Sequence, residues 1–334
     1  MEYSEVVLIT GGCGFLGLNL LHYIAENNLA STCILVDNGI TCNLYDAIKK
    51  IQAWQLQYPL LKIHFYKMDI CSENFSNTMI QKYSKITQIY HFASLASPVF
   101  YRKYPLQTLD VGYIGTKRVL DLARRFESKV LFASTSEVYG DPTVHPQKES
   151  YYGNVNSYGT RSAYDESKRV AEALLYTYKE LYNLETRIVR IFNTYGPHMN
   201  IDDGRIVTEI CRALLTNKPL KIFGDGTQTR SLNYVDDTIR AIVGVMNSDY
   251  SSPINVGNDA ELSINELVKE CQKVYRDNFD PSAELHIVYT AIDKDDPKIR
   301  QPCLQLHKEV LGNYPKTPLR EGLYKTMKYF SERM

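Results

Sequence analysis

The stretch Val6-Val7-Leu8-Ile9-Thr10-Gly11-Gly12-Cys13-Gly14-Phe15-Leu16-Gly17 decides how this chain folds. An apolar run of strand length meets glycines at 11, 14 and 17, and apolar positions then recur at helical spacing over 14–27. A strand, a glycine turn and a helix in that order bring backbone N–H groups to a helix start, where a pyrophosphate can be held. The pattern is G-x-x-G-x-x-G. Asp37 closes the second apolar run about 20 residues past Gly17, where an acidic side chain accepts ribose hydroxyls. A carboxylate there repels a 2′-phosphate, so the expected cofactor is NAD and not NADP. Gly11, Gly14, Phe15, Leu16, Gly17, Asp37 and Asn38 are its expected contacts. Asp69 and Ile70 end the third apolar run, as an adenine contact or, for Asp69, as a helix N-cap.

Working outward, short apolar runs alternate with longer amphipathic segments through the first two-thirds of the chain. Strands are expected at 6–9, 33–36, 62–66, 88–91, 129–133 and 186–191, with helices at 14–27, 114–126 and 163–182. That alternation implies an α/β fold, a doubly wound parallel sheet of Rossmann type, over residues 1–192. Beyond Asn193 the spacing becomes irregular, with Gly and Pro clusters and helices near 206–216, 235–247 and 263–275. Residues 193–334 therefore read as a smaller mixed α/β substrate lobe, with parts of 231–260 returning to the first domain.

Composition excludes several functions. The chain has 38 basic and 38 acidic residues, so no global field attracts nucleic acid or anionic membrane. Seven scattered cysteines form no Cys-x-x-Cys pair, which implies free thiols, no zinc site and a reducing, cytoplasmic setting. No signal segment or membrane-length apolar run is present, so a soluble protein without a resident metal is expected.

Tyr164-Asp165-Glu166-Ser167-Lys168 opens the helix at 163–182. Residues four apart share a helical face, so the Lys168 ammonium is expected to stabilise a Tyr164 phenolate and make it a general base. The preceding strand ends Ala133-Ser134-Thr135-Ser136-Glu137 at the carboxyl edge of the sheet, where ligands of open α/β folds bind.

These motifs resemble the extended short-chain dehydrogenase/reductases that act on sugar nucleotides. His91–Pro98 (HFASLASP), 133–142 (ASTSEVYGDP), 152–169 (YGNVNSYGTRSAYDESKR) and 190–197 (RIFNTYGP) are similar, more narrowly, to UDP-glucuronate decarboxylases, the UDP-xylose synthases. The resemblance covers nearly the whole chain and implies that Ala93, Tyr164 and Lys168 also touch the NAD. The related 4,6-dehydratases carry Asp-Glu where this chain has Ser136-Glu137, and a serine cannot protonate a leaving hydroxyl. Arg161 matches an arginine suited to a sugar carboxylate, since a guanidinium offers two parallel hydrogen bonds. Asp295-Asp296-Pro297-Lys298-Ile299-Arg300-Gln301-Pro302 matches the segment that brings a second arginine, Arg300, for substrate binding or proton delivery.

The resemblance further implies oxidation of sugar C4 with Tyr164 as base, loss of CO2, and reduction to UDP-xylose or escape of UDP-4-keto-pentose. Thr135, Ser136 and Tyr164 would stabilise the enolate, and Glu137 would position the sugar or a water. At the UDP end it implies Asn193 on pyrophosphate, Arg205 on phosphate or ribose, Lys221 and Phe223 beside uracil, and Arg230 and Tyr234 near ribose and pyrophosphate. A homodimer is implied, through a four-helix bundle of 114–126 and 163–182. Three positions depart from the family: Gly112 replaces an asparagine, Cys303 an acidic residue, and Gly39-Ile40-Thr41-Cys42 a small-basic run. A nucleotide-sugar 4-epimerase or 4,6-dehydratase is the alternative enzyme, and a non-catalytic NAD-binding regulator the alternative of another class.

Overall fold

The computed structural model of the chain describes residues 5–291 and 300–333. Seven strands form one parallel sheet: β1 (Val6–Thr10), β2 (Thr32–Asp37), β3 (Lys62–Lys67), β4 (Gln88–His91), β5 (Lys129–Thr135), β6 (Thr186–Ile191) and β7 (Pro253–Val256). Their order is β7-β6-β5-β4-β1-β2-β3. The chain builds outward from β1 in one direction, returns to β4 beside β1, and builds in the other. This reversal opens a crevice between the carboxyl ends of β1 and β4.

Alternation along each strand explains the three layers. Val7 and Ile9 of β1, Cys33 and Leu35 of β2, and Leu131 of β5 face one core; Leu8, Ile34, Val36, Val130 and Phe132 face the other. Helices α1 (Phe15–Glu26) and α2 (Leu44–Gln57) cover the first side. On the second lie α3 (Glu73–Lys82), short α4 (Pro98–Lys103) and α5 (Pro105–Asp110), then α6 (Thr116–Phe126) and α7 (Ser162–Tyr182). Helices α2 and α3 escaped the sequence reading. The first buries only Ala47, Ile51 and Trp54, and the second only Phe75 and Met79, so their apolar stripes are thin.

The helix expected at 114–126 is two elements. Val111–Gly115 forms a π-helical turn, and α6 begins at Thr116. Gly112 in that turn lies against α7, where an added Cβ would fall 2.5 Å from the Ser167 Cβ and 2.7 Å from its carbonyl oxygen. The departure from asparagine is thus a close backbone approach that no side chain fits.

Past β6, helices α8 (Ile206–Thr216), α9 (Val235–Asn247) and α10 (Ile264–Asn278) alternate with two-stranded pairs. Leu220–Phe223 runs parallel to Ile287–Thr290, and Thr229–Ser231 antiparallel to Glu261–Ser263. Strand β7 pairs with β6 in the main sheet, while the Leu220–Phe223 pair stands across the crevice from the glycine turn. No helix among the described residues is long and apolar enough to cross a membrane.

Candidate active site

A cleft of about 1390 Å³ runs along the carboxyl edge of the sheet, from the glycine turn past Tyr164 to the Leu220–Phe223 strand. Its cofactor end is built by backbone geometry. Gly11 adopts φ +68°, and a Cβ on Gly17 would lie 2.4 Å from the Gly11 carbonyl oxygen, so the turn closes only with glycine at both places. Gly14 caps α1 without a side-chain hydrogen bond, and no acidic residue occupies the first turn. The helix-start N–H groups of Phe15 and Leu16 therefore face the cleft as anion donors.

Asp37 lies at the end of β2. It accepts from the Cys13 N–H (3.0 Å), the Gly39 N–H (2.8 Å) and the Cys42 thiol (3.6 Å). Burial raises its pKa, and the Gly39, Cys13 and Cys42 donors pull it back. Gly39-Ile40-Thr41-Cys42, another of the departures, thus fixes the carboxylate that would read the ribose. Asn38 donates to Asp69 (3.2 Å), and both line the cleft with Ile70 and Ala93. Asp69 is not a helix cap: Ser72 caps α3 by accepting from the Asn74 N–H, and Asp69 accepts from the Cys71 N–H (2.8 Å). An uncapped helix start for pyrophosphate and a ribose-reading carboxylate fit an NAD.

At the centre, α7 presents Tyr164 and Lys168 to the cleft, and the end of β5 with its following turn presents Thr135, Ser136 and Glu137. The Lys168 ammonium donates to the Ala133 carbonyl (2.8 Å) and sits 5.9 Å from the Tyr164 ring centre. Burial brings Lys168 down to about 7. Burial also pushes the Tyr164 phenol above its ordinary value, partly offset by a hydrogen bond with Thr135. Both groups are desolvated, and Lys168 donates a hydrogen bond to a backbone carbonyl.

Beside Tyr164 stands a buried ion cluster. Both terminal guanidinium nitrogens of Arg300 reach Glu137, one at 2.9 Å and one closer, and Arg161 donates to the same carboxylate. Burial alone would raise Glu137, but Arg300 and then Arg161 overcome it and hold the carboxyl at about 2. Asp165 lies 3.9 Å from Arg161 and is pushed up to about 7, by burial first and then by the Glu137 charge. Arg161 and Arg300 thus share the Glu137 carboxylate at the cleft wall. Residues 295–299 of the motif that carries Arg300 lie outside the described residues.

Tyr101 of α4 escaped the sequence reading. Its ring stacks on Tyr164, centres 5.1 Å apart and planes 8° from parallel, with a buried hydroxyl that has no hydrogen-bond partner among the described residues. Ser97 likewise keeps a buried hydroxyl at the cleft wall without a partner among the described residues. The sequence signal was present but faint: Ser97-Pro98 starts a helix, and Tyr101 lies one turn on, just past the quoted motif.

The far end gathers Asn193, Arg205, Lys221, Phe223 and Arg230 along the wall. Lys221 and Phe223 alternate with buried Leu220 and Ile222 and so face outward, Phe223 being 57% exposed. Arg205 donates to the Ala96 carbonyl (3.2 Å) and pairs with Asp203 (3.3 Å), which fixes its guanidinium at the rim. Tyr234 is the exception. It is buried against Tyr195 and lies outside the cleft lining, because the adjacent Asn233 pairs with Thr194 and turns it into the core. Its expected ribose contact is withdrawn.

A parallel sheet, an NAD-fitting glycine turn and a Tyr-Lys pair at the topological switch define a nucleotide-dependent enzyme of the short-chain dehydrogenase/reductase type. The chain belongs to the NAD dependent epimerase/dehydratase family, which it matches over residues 7–257. It is 42% identical to UDP-glucuronic acid decarboxylase 6 of Arabidopsis thaliana, across 95% of this chain and 86% of the relative. Against UDP-glucuronic acid decarboxylase 1 of Danio rerio the identity is 39%, across 98% and 73%. Among solved structures, UDP-glucose 4-epimerase of Thermotoga maritima superposes with a TM-score of 0.85 at 25% identity, covering 98% of this chain and 99% of that one. The fold is shared with UDP-glucuronic acid 4-epimerase of Bacillus cereus, in complex with UDP-glucuronic acid and NAD, at a TM-score of 0.84 and 24% identity over 98% and 99% of the two chains.

Proposed function

We propose that the protein is an NAD-dependent UDP-glucuronate decarboxylase, forming UDP-4-keto-pentose and UDP-xylose. The observation that carries this is the buried Arg161–Glu137–Arg300 cluster beside Tyr164, two guanidiniums at the cleft wall suited to a sugar carboxylate, with Ser136 where dehydration needs an acid. Gly11, Gly14, Gly17 and Asp37 would hold NAD. Bound there, an oxidised nicotinamide supplies a hydride acceptor at sugar C4 and a positive charge near Tyr164.

Tyr164 takes the C4 hydroxyl proton, with Thr135 holding the same oxygen by hydrogen bond and Lys168 adding its field when protonated. The resulting C4 ketone is β to the C6 carboxylate, so breaking the C5–C6 bond puts its electron pair into an enolate that Thr135 and Tyr164 stabilise. Arg161 and Arg300 attract the substrate carboxylate. Because Glu137 already neutralises one of those charges, the carboxylate is gathered without being locked in its ground state. At about 2, Glu137 is ionised at neutral pH and has no proton to give, so the proton for C5 comes from water held by Glu137 and Arg300.

We further propose a homodimer. Leu106, Leu109, Tyr113 and Ile114 around α5 and the π turn, with Tyr176 and Leu181 on neighbouring α7, form an exposed apolar face suited to a second copy. Sedimentation of wild type against Tyr113→Glu/Tyr176→Glu tests it, a dimer giving way to monomer.

The activity test is release of labelled CO2 from UDP-glucuronate carrying the label at C6, with NAD⁺ present. Carbon release supports the proposal; UDP-galacturonate with all carbon retained assigns a 4-epimerase instead.

A further inference from the structure

Arg300 is aimed by a grip on the peptide that follows it. The Arg300 carbonyl accepts from the Ser231 hydroxyl (3.3 Å), and the Gln301 N–H at the other end of that peptide donates to the Gln147 side-chain oxygen (2.9 Å). Gln147 and Ser231 are each 1% exposed, and neither lines the cleft. The Gln147 amide nitrogen is spent on the Val144 carbonyl (2.9 Å), which fixes which end faces Gln301. The Gln147 backbone adds a bond from its N–H to the Gln301 carbonyl (2.9 Å) and one from the Cys303 N–H to its own carbonyl (2.8 Å). The Asn255 side chain then ties the same Gln147 carbonyl (3.0 Å) to Tyr139, whose hydroxyl donates to Asn255 (2.8 Å) at the end of the turn that carries Glu137.

The geometry points to Gln147, with Ser231, as positioning residues that hold Arg300 on Glu137 for catalysis. The inference rests on the decarboxylase reading for its effect on rate, though not for its effect on Arg300. A peptide plane held at both ends by buried side chains cannot rotate, so the side chain leaving its Cα is delivered at a fixed angle. Such grips matter because a displacement near 1 Å at a reacting centre costs about a hundredfold in rate. The same contacts explain why Cys303 does not loosen the segment: its backbone, not its side chain, joins the grip.

The test combines the crystal structure of Gln147→Ala with a double-mutant cycle on steady-state decarboxylation. Arg300 is expected to leave Glu137 in the variant, and kcat/KM to fall about a hundredfold. In an Arg300→Ala background the same change is expected to cost nothing further, because there is no guanidinium left to aim. Ser231→Ala, which removes one hydroxyl, repeats the cycle should Gln147→Ala not fold, with a smaller loss and the same non-additivity. Losses that multiply in both backgrounds, or Arg300 unmoved on Glu137 in the variant crystal, overturn the inference. If wild type releases no CO2, the decarboxylase reading falls while the position of Arg300 still decides this one.

Discussion

Glu137→Gln removes the carboxylate charge that two buried guanidiniums share. The carboxyl sits at about 2 against an ordinary 4.5, and its side chain is only 12% exposed, so solvent screens little of the interaction. That depression corresponds to on the order of 3 kcal/mol at neutral pH. The figure agrees with the roughly 3–5 kcal/mol lost when one partner of a buried ion pair is deleted. The lower end applies here, because Asp165 ionises more readily once the Glu137 charge is gone and then serves Arg161. A melting point lower by roughly 4–5 °C follows for a chain of this size.

The sign with pH is fixed. A carboxyl depressed in the fold stabilises above its unfolded value, and that contribution fades as pH falls from about 4.5 toward 2. The gap between wild type and variant is therefore full at pH 7 and narrows below about pH 4.5. Scanning calorimetry with and without ligand measures both. In the variant, the substrate carboxylate replaces the missing charge, so UDP-glucuronate raises its melting point more than UDP-glucose does, by a wider margin than in wild type. A variant that melts with wild type at pH 7, or that gains equally from the two ligands, refutes this account of the cluster.

Tyr164→Phe leaves UDP-glucuronate affinity within about threefold by calorimetry and lowers kcat by about 10²–10⁴, the range for a lost general base. Asp37→Ala weakens NAD⁺ binding by roughly 10–100-fold in a fluorescence titration, since hydrogen bonds to a charged group contribute about 1.5–3 kcal/mol. Gly112→Ala forces a Cβ into Ser167 and costs about 1–3 kcal/mol, read as a melting point lower by several degrees.

The first half of the fold was legible because its signals are local. Strands of β-branched and apolar residues, glycines fixed by φ and close approach, and Asp37 at the strand end each declare themselves within a few residues. Tyr164 and Lys168 were legible through helical spacing, and Arg161 and Arg300 through motif resemblance. What the sequence did not carry was long-range: Tyr101 reaches Tyr164 only because α4 folds under α7, and Glu137 meets Arg300 across 163 residues of chain. Tyr234 was misplaced for the same reason, its direction being set by pairing with the Thr194–Tyr195 strand. The π turn at Gly112 was unreadable as such, since helical periodicity barely changes across one wide turn.

Mass spectrometry of the nucleotide sugar formed from UDP-glucuronate and NAD⁺ in heavy water tests the central claim most directly. Ketone-assisted loss of the carboxyl predicts a UDP-pentose or its 4-ketone, lighter by CO2 and carrying solvent deuterium at C5. A product of unchanged carbon count, whatever its stereochemistry, contradicts the account.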